Sequence, residues 1–348
     1  MTIVMEGYNV LMRGWALSLV AILAIAGCTQ PVGPLAGGSN GDSITPEPSG
    51  GSASSTSTPS GSGTTTTTTS SNSPSGQPGQ PGEPGEPHPV PPTNESDEGS
   101  YEWTWGPASA ATIRPGVQTF TNNAQCTANF IFSNATQLFI GQAAHCSAGD
   151  DATKTNGCEA KTGSIGGPVE IDGASKPGVL VYSSWIAMQE IDESDTNACR
   201  YNDFALIAID PADFAKVHPS VQSFGGPTGT ADASKILIGD KVFSYGNSGL
   251  RFGISATSPH EGYVIAKQGD GWSTVVYTHI PGVPGDSGSG VLTEDGEALG
   301  ILVTVQVAPV AGSNGVTSLD HALPYANSVG GLDLRLEVWD EFRGGLLP

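Results

Sequence analysis

Pro281-Gly-Val-Pro-Gly-Asp-Ser-Gly-Ser-Gly290 sets a serine among glycines, beside an aspartate, just before an apolar run. Gly290-Val-Leu292 and Ala298-Leu-Gly-Ile-Leu-Val-Thr-Val-Gln306 follow, flanking Glu294-Asp-Gly296, a hairpin signal. The serine is therefore either a nucleophile or part of a tight turn between strands. What lies upstream decides between the two.

Upstream the pattern is again short β-rich runs separated by Gly, Asn, Asp and Pro. They include Cys126-Thr-Ala-Asn-Phe-Ile-Phe132, Gln137-Leu-Phe-Ile140, Gly178-Val-Leu-Val-Tyr182 and Phe204-Ala-Leu-Ile-Ala-Ile209. Lys235-Ile-Leu-Ile238, Lys241-Val-Phe-Ser-Tyr245, Tyr263-Val-Ile265 and Ser273-Thr-Val-Val-Tyr277 continue the series. Helical periodicity is nearly absent, the exception being Ser318-Leu-Asp-His-Ala-Leu-Pro-Tyr-Ala326, which has a Ser start signal and an internal proline. An all-β chain with strands at this spacing is a sandwich or a pair of barrels, and the size favours two barrels of about 110 residues each. The folded domain is expected over 101–348, with barrel one at 112–225 and barrel two at 226–330.

The first hundred residues read differently. Trp15-Ala-Leu-Ser-Leu-Val-Ala-Ile-Leu-Ala-Ile-Ala-Gly-Cys28 holds about a dozen apolar residues, too short to span a bilayer and typical of a signal-peptide core. Arg13 supplies the positive flank, and Met1 and Met12 both stand as possible starts. Ile25-Ala-Gly-Cys28 resembles the bacterial lipobox. The resemblance implies removal of 1–27, acylation of Cys28 and anchorage to a membrane outside the cytoplasm, each buried methylene contributing roughly 0.8 kcal/mol. An ordinary secretory signal with an incidental cysteine is the alternative. From 28 to 100 the chain is Ser, Thr, Gly and Pro, including Thr64-Thr-Thr-Thr-Thr-Thr69 and Gly-X-Pro triplets up to Pro87. Such a segment buries too little to offset its ordering entropy, so a disordered tether is expected, with an r.m.s. span on the order of 45–50 Å.

The formal net charge of −21 sets aside nucleic acid and anionic lipid as electrostatic partners and fits a soluble, monomeric domain. Five cysteines is an odd number; with Cys28 set apart, four remain for disulfides in an oxidising compartment. No Cys/His clustering at metal-ligand spacing is present, so neither metal nor cofactor is expected.

Three stretches carry chemistry. Phe139-Ile-Gly-Gln-Ala-Ala-His-Cys146 resembles the Ala-Ala-His-Cys signature of the chymotrypsin/trypsin-like serine proteases. Tyr201-Asn-Asp-Phe-Ala-Leu-Ile-Ala-Ile209 resembles the family's Asn-Asp-Ile-Ala-Leu-Leu segment, and Gly285-Asp-Ser-Gly288 its nucleophile motif. The resemblance implies two antiparallel six-stranded β-barrels with a short C-terminal helix, and a serine endopeptidase acting on peptide or protein substrates. It makes His145 the general base, Asp203 the acid that orients it, Ser287 the nucleophile, and the N–H groups of Gly285 and Ser287 the oxyanion hole. It also pairs Cys146 with Cys126, closing a loop of about 20 residues worth roughly 3 kcal/mol. Cys158 and Cys199 are left to pair with each other. Asp192, Asp195 and Asp210 are rivals to Asp203: the first two lie in a polar run, and Asp210 precedes Pro211. The order His, Asp, Ser excludes an α/β-hydrolase, which runs Ser, acid, His and needs glycine where Ser289 stands.

The chain also departs from the family. No Ile-Val-Gly-Gly terminus is present to meet the aspartate before the serine. Bacterial members use an internal arginine, for which Arg251 is the first candidate and Arg114 the second; Asp286 is then structural. The position that favours Lys or Arg substrates in trypsin is Pro281, so a small or apolar residue before the scissile bond is the default. Glutamate preference would require a basic pocket, with His279 the candidate. Val303-Thr-Val-Gln306 resembles the strand that pairs with bound peptide. Trp103 and Trp105 read as anchors of the domain's N-terminal edge. A protease-fold binding or scaffold protein without turnover is the alternative function, although such proteins usually lose a triad member.

Overall fold

The computed structural model describes residues 101–149, 153–307 and 310–345. The leader with Cys28 and the tether over 28–100 lie outside the described residues. Among the described residues no helix is long and apolar enough to cross a membrane.

The first part of the domain carries β1 (Gln118–Thr121), β2 (Ala124–Thr127), β3 (Ile131–Ser133), β4 (Leu138–Gln142), β5 (Pro168–Ile171), β6 (Gly178–Ser183) and β7 (Ala205–Ala208). The second carries β8 (Lys241–Tyr245), β9 (Pro259–Gln268), β10 (Ser273–Thr278), β11 (Gly290–Thr293), β12 (Ala298–Gln306) and β13 (Ser313–Ser318). A final strand, β14 (Arg335–Leu336), returns to pair with β3. The fold is all-β with antiparallel sheets, as the strand pattern predicts.

The second part is a closed six-stranded barrel in the order β10-β13-β12-β11-β8-β9. The first is an eight-stranded sheet in the order β14-β3-β4-β7-β6-β5-β1-β2. It differs from a simple six-stranded barrel because one bent stretch, 124–133, supplies both β2 and β3. β2 pairs with β1, and then Ala128 N–H donates to Val117 O and Asn129 N–H to Gly141 O as the chain crosses towards β4. The bend brings the sheet back on itself, and β14 adds at the edge.

Strand alternation builds the core. On β8, Val242 faces the barrel interior with Val264, Val276, Leu302 and Val316, while Phe243 faces outward. On β11, Val291 and Leu292 split the same way. The outward residues meet Phe130, Phe132, Phe139 and Phe204 of the first sheet in one cluster, so the two parts are joined by apolar packing. Each fully buried phenylalanine there contributes roughly 1.5–3 kcal/mol. Ile131, Ile140, Leu180 and Ile207 fill the first sheet's own core.

The helix foreseen near Ser318 spans Leu319–Gly330, with Pro324 inside it and Gly331 closing it at φ 62°. Two further short helices, Ser184–Glu190 and Thr196–Tyr201, are present. Trp103 donates from Nε1 to Asn134 O and meets Phe214 edge-on at 5.4 Å, and Trp105 lies against His218.

Candidate active site

The pairing of β4 with β7 decides where two of the three motifs meet. Gln142 lies opposite Ala205. The strands are antiparallel, so the chain leaving β4 and the chain entering β7 share one edge of the sheet. Three residues after Gln142 stands His145, in the 3-10 turn Ala144–Ser147; two residues before Ala205 stands Asp203. The carboxylate of Asp203 accepts the backbone N–H of His145 at 2.9 Å on Oδ1 and lies 2.7 Å from the ring Nδ1 on Oδ2. Two contacts to one carboxylate fix the ring plane and place the proton on Nδ1, leaving the Nε2 lone pair able to take up a proton. His145 is 6% exposed and Asp203 8%. Trp185, buried, backs the imidazole with ring centroids 6.4 Å apart. A side chain at Gly157 would collide with Trp185, its Cβ falling 2.2 Å from Cδ1, so that glycine makes room for the indole.

Burial pulls the His145 pKa down, while the charge and hydrogen bond of Asp203 pull it up; the net is a rise above the ordinary 6.5. The rival carboxylates are engaged elsewhere. Asp195 caps the helix Thr196–Tyr201 through Asn197 N–H, Asp210 caps a 3-10 turn and pairs with Lys176, and Asp192 is exposed.

The structure forms the disulfides Cys126–Cys146 and Cys158–Cys199. The first ties the end of β2 to the residue after His145. From that same strand, Thr127 N–H donates to Ser287 O at 2.8 Å. A Cβ on Gly288 would lie 3.1 Å from Ala143 N, so the serine turn packs directly on the chain leading to His145. Ser287 is half-buried. No hydrogen bond joins its hydroxyl to the imidazole among the described residues; in unliganded enzymes such contacts are commonly long.

The turn itself is unevenly satisfied. The N–H groups of Asp286, Gly288 and Ser289 donate to Val283 O, Leu302 O and Asp286 O. Those of Gly285 and Ser287 have no acceptor among the described residues. Asp286 turns inward, where Arg251 reaches it with Nη2 on Oδ2 and Nε on Oδ1. Arg114 is elsewhere, donating to Ser220 and Ala108. His279 is exposed and lies outside the lining of the cleft beside His145.

That cleft is lined by His145, Asp203, Tyr201, Val303, Thr304 and Gln306, with Lys154 and Arg200 also on it. Sequence reading missed the last two, because their place follows from how the segments at 154 and 200 fold against β12. Cys126, His145 and Cys146 form the one His/Cys grouping at metal-ligand separations among the described residues, and both sulfurs are held in the disulfide.

A family model for the trypsin-like peptidase domain matches residues 126–301, a span that contains His145, Asp203 and Ser287. The chain belongs to the trypsin-like peptidase family. It is a serine-type peptidase, a hydrolase. No curated protein matches it. Among solved structures, protease A of Thermobifida fusca is 19% identical over 65% of this chain and 98% of its own, with a TM-score of 0.42. A glutamic-acid-specific serine protease, described as using a histidine triad in substrate binding, is 19% identical over 62% of this chain and 98% of its own, with a TM-score of 0.40. The Rv3671c protease of M. tuberculosis in its active form is 14% identical over 64% and 82%, with a TM-score of 0.39.

Proposed function

We propose that this peptidase is an extracytoplasmic endopeptidase, acting as a monomer and held to a membrane through an acylated Cys28. It cleaves peptide bonds through an acyl-enzyme on Ser287. His145 Nε2 takes the Ser287 proton as Oγ attacks the scissile carbonyl carbon. Asp203 stabilises the imidazolium that results. The carbonyl oxygen, now an oxyanion, is received by the N–H groups of Gly285 and Ser287. His145 returns the proton to the leaving amine, and water repeats the sequence to release the acid.

One observation carries the reading. The doubly anchored His145–Asp203 pair lies beside a serine turn in which the two N–H groups needed by an oxyanion are the two left without acceptors. Support for substrate binding comes from β12. Its pairing with β11 ends at Ile301, so past Leu302 the edge opposite β13 has no partner strand among the described residues. An extended peptide can add there by main-chain hydrogen bonds.

The test is labelling by a serine-directed fluorophosphonate together with peptide-library cleavage, on the wild-type chain and on Ser287→Ala. Labelling and cleavage that vanish in the variant support an endopeptidase. A folded wild-type chain inert to both probes points to a binding or scaffold protein instead. The anchor is tested separately by mass spectrometry of the mature N-terminus: an unmodified terminus beyond Cys28 ends that part of the proposal.

A further inference from the structure

The backbone around Gly285 is held from both sides by three side chains outside the triad. Ser248 Oγ donates to Pro284 O at 2.5 Å. The same hydroxyl accepts the Leu250 N–H at 3.1 Å, so its single proton is committed to the Pro284 carbonyl. On the other side, Gly285 O accepts Gln125 Nε2 at 3.0 Å and Thr127 Oγ1 at 2.8 Å. Gln125 Oε1 in turn accepts Gly249 N–H at 2.8 Å, which links the two clamps. Ser248 is 3% exposed, and its own N–H donates to Asp286 Oδ1 at 3.0 Å.

The Pro284–Gly285 peptide is trans. In a planar trans peptide the C=O and N–H point in opposite directions. Fixing the Pro284 carbonyl towards Ser248 therefore directs the Gly285 N–H the other way, and that N–H meets no acceptor among the described residues. A flipped peptide would present a carbonyl oxygen where an oxyanion must sit. Gly285 adopts φ +96°, and a Cβ there would fall 2.4 Å from Gln125 Oε1 and 2.7 Å from Ser248 Oγ. Glycine is thus required both by the conformation and by the closeness of the two clamping side chains.

We infer that Ser248, assisted by Gln125, is a positioning residue for peptide hydrolysis: it orients the Gly285 N–H as an oxyanion donor. The inference rests on the endopeptidase reading above. Ser248 touches no reacting atom; it acts through the Pro284–Gly285 peptide.

The experiment compares Ser248→Ala with the wild-type full-length chain in kcat, KM, thermal midpoint and affinity for a peptide aldehyde. The Ser287 hydroxyl adds to the aldehyde carbon, its proton ending on the new hemiacetal oxygen, which occupies the oxyanion position. The expected result is a fall in kcat of about tenfold or more with KM within about twofold. Aldehyde affinity falls in parallel, and the acid limb of the pH profile stays in place because His145 is untouched. A kcat and aldehyde affinity within twofold of wild type, or a loss confined to KM, overturns the inference while leaving the peptidase reading intact. Should Ser248→Ala not fold, Gln125→Met is read the same way; it removes the amide donor at similar side-chain length. A wild-type chain inert to peptides and fluorophosphonate overturns the endopeptidase reading and this inference with it.

Discussion

Arg251 and Asp286 form an ion pair in which the aspartate side chain is fully buried and the arginine side chain is 8% exposed. The remaining capacity of the carboxylate is filled by Ser248 N–H at 3.0 Å and Val283 N–H at 2.9 Å. Arg251 also donates to Thr257 O and Pro281 O. A buried charge is tolerated only when paired and hydrogen-bonded in this way. The pair thus locks the residue next to Ser287 to the turn that bears Ser248, without a new chain terminus.

Removing one member leaves the other buried and uncompensated. Arg251→Ala is expected to cost ~3–5 kcal/mol in urea unfolding. Arg251→Lys should recover only part of this, because the planar fork that meets both carboxylate oxygens is lost. Peptide hydrolysis should fall in both variants. Full activity with an unchanged unfolding midpoint in Arg251→Ala would show that the pair holds nothing in place.

His145 links activity and stability to pH with opposite signs. Its pKa is raised above 6.5 by Asp203 despite burial. In the proposed mechanism His145 must be neutral to act as base, so kcat/KM is expected to fall as pH drops through a midpoint above 6.5. A raised folded pKa favours the native state fully below the unfolded value, and this contribution is lost as pH rises through the folded pKa. Asp203→Asn should move the acid limb of the rate profile downward and lower kcat by about 10⁴. An acid limb unmoved by that variant would assign the titration to another group.

The disulfides close loops of different length, with sequence separations of 20 for Cys126–Cys146 and 41 for Cys158–Cys199. Each is expected to contribute roughly 3–4 kcal/mol, measured as the loss of unfolding free energy on converting both cysteines to alanine. The effects on turnover should differ. Cys126 adjoins Thr127, whose N–H holds Ser287 O, and Cys146 adjoins His145. Losing that bridge should lower kcat in protein that remains folded, whereas losing Cys158–Cys199 should act mainly on stability. Equal kcat losses in the two double variants would contradict this division.

The His145–Asp203 pairing was legible through the resemblance of Ala143-Ala-His-Cys146 and Asn202-Asp-Phe-Ala-Leu-Ile207 to the family's signatures, and the antiparallel register of β4 and β7 supplies the physical reason the two residues meet. Arg251 was legible through the family resemblance, which calls for an internal arginine in a chain with only 13 Lys and Arg to supply it. Ser248 and Gln125 were not. They are ordinary polar residues whose partners lie 36 and 160 positions away, and neither residue type nor spacing marks such contacts. The bend that makes β2 and β3 from one stretch was also hidden, since Ala128, Asn129 and Phe130 between them continue the same β-rich run. The helices Ser184–Glu190 and Thr196–Tyr201 are too short to establish a helical period.

His260 has its imidazole fully buried, with the Thr257 backbone as a polar neighbour and no side chain bonded to either ring nitrogen among the described residues. A Cβ on Gly246 would touch both His260 Cε1 and Asp286 Oδ1, which puts the ring beside the Arg251–Asp286 pair. Burial pushes its pKa down to about 4; the Asp286 charge and the Thr257 backbone oppose this, and Arg251 adds to it. Below the unfolded value of 6.5 the unfolded chain binds a proton that the native chain refuses. Stability should therefore fall as pH drops from about 6.5 and level off below about 4, by on the order of 3 kcal/mol from this residue. The window lies on the acid side of the one set by His145. His218, buried and also held to about 4, adds a slope of the same sign. Unfolding free energies measured from pH 7 to pH 4 should show a shallower decline in His260→Gln than in the wild type. Parallel curves for the two proteins would mean that His260 binds its proton equally in both states, and would exclude it as a source of acid sensitivity at the Asp286 turn.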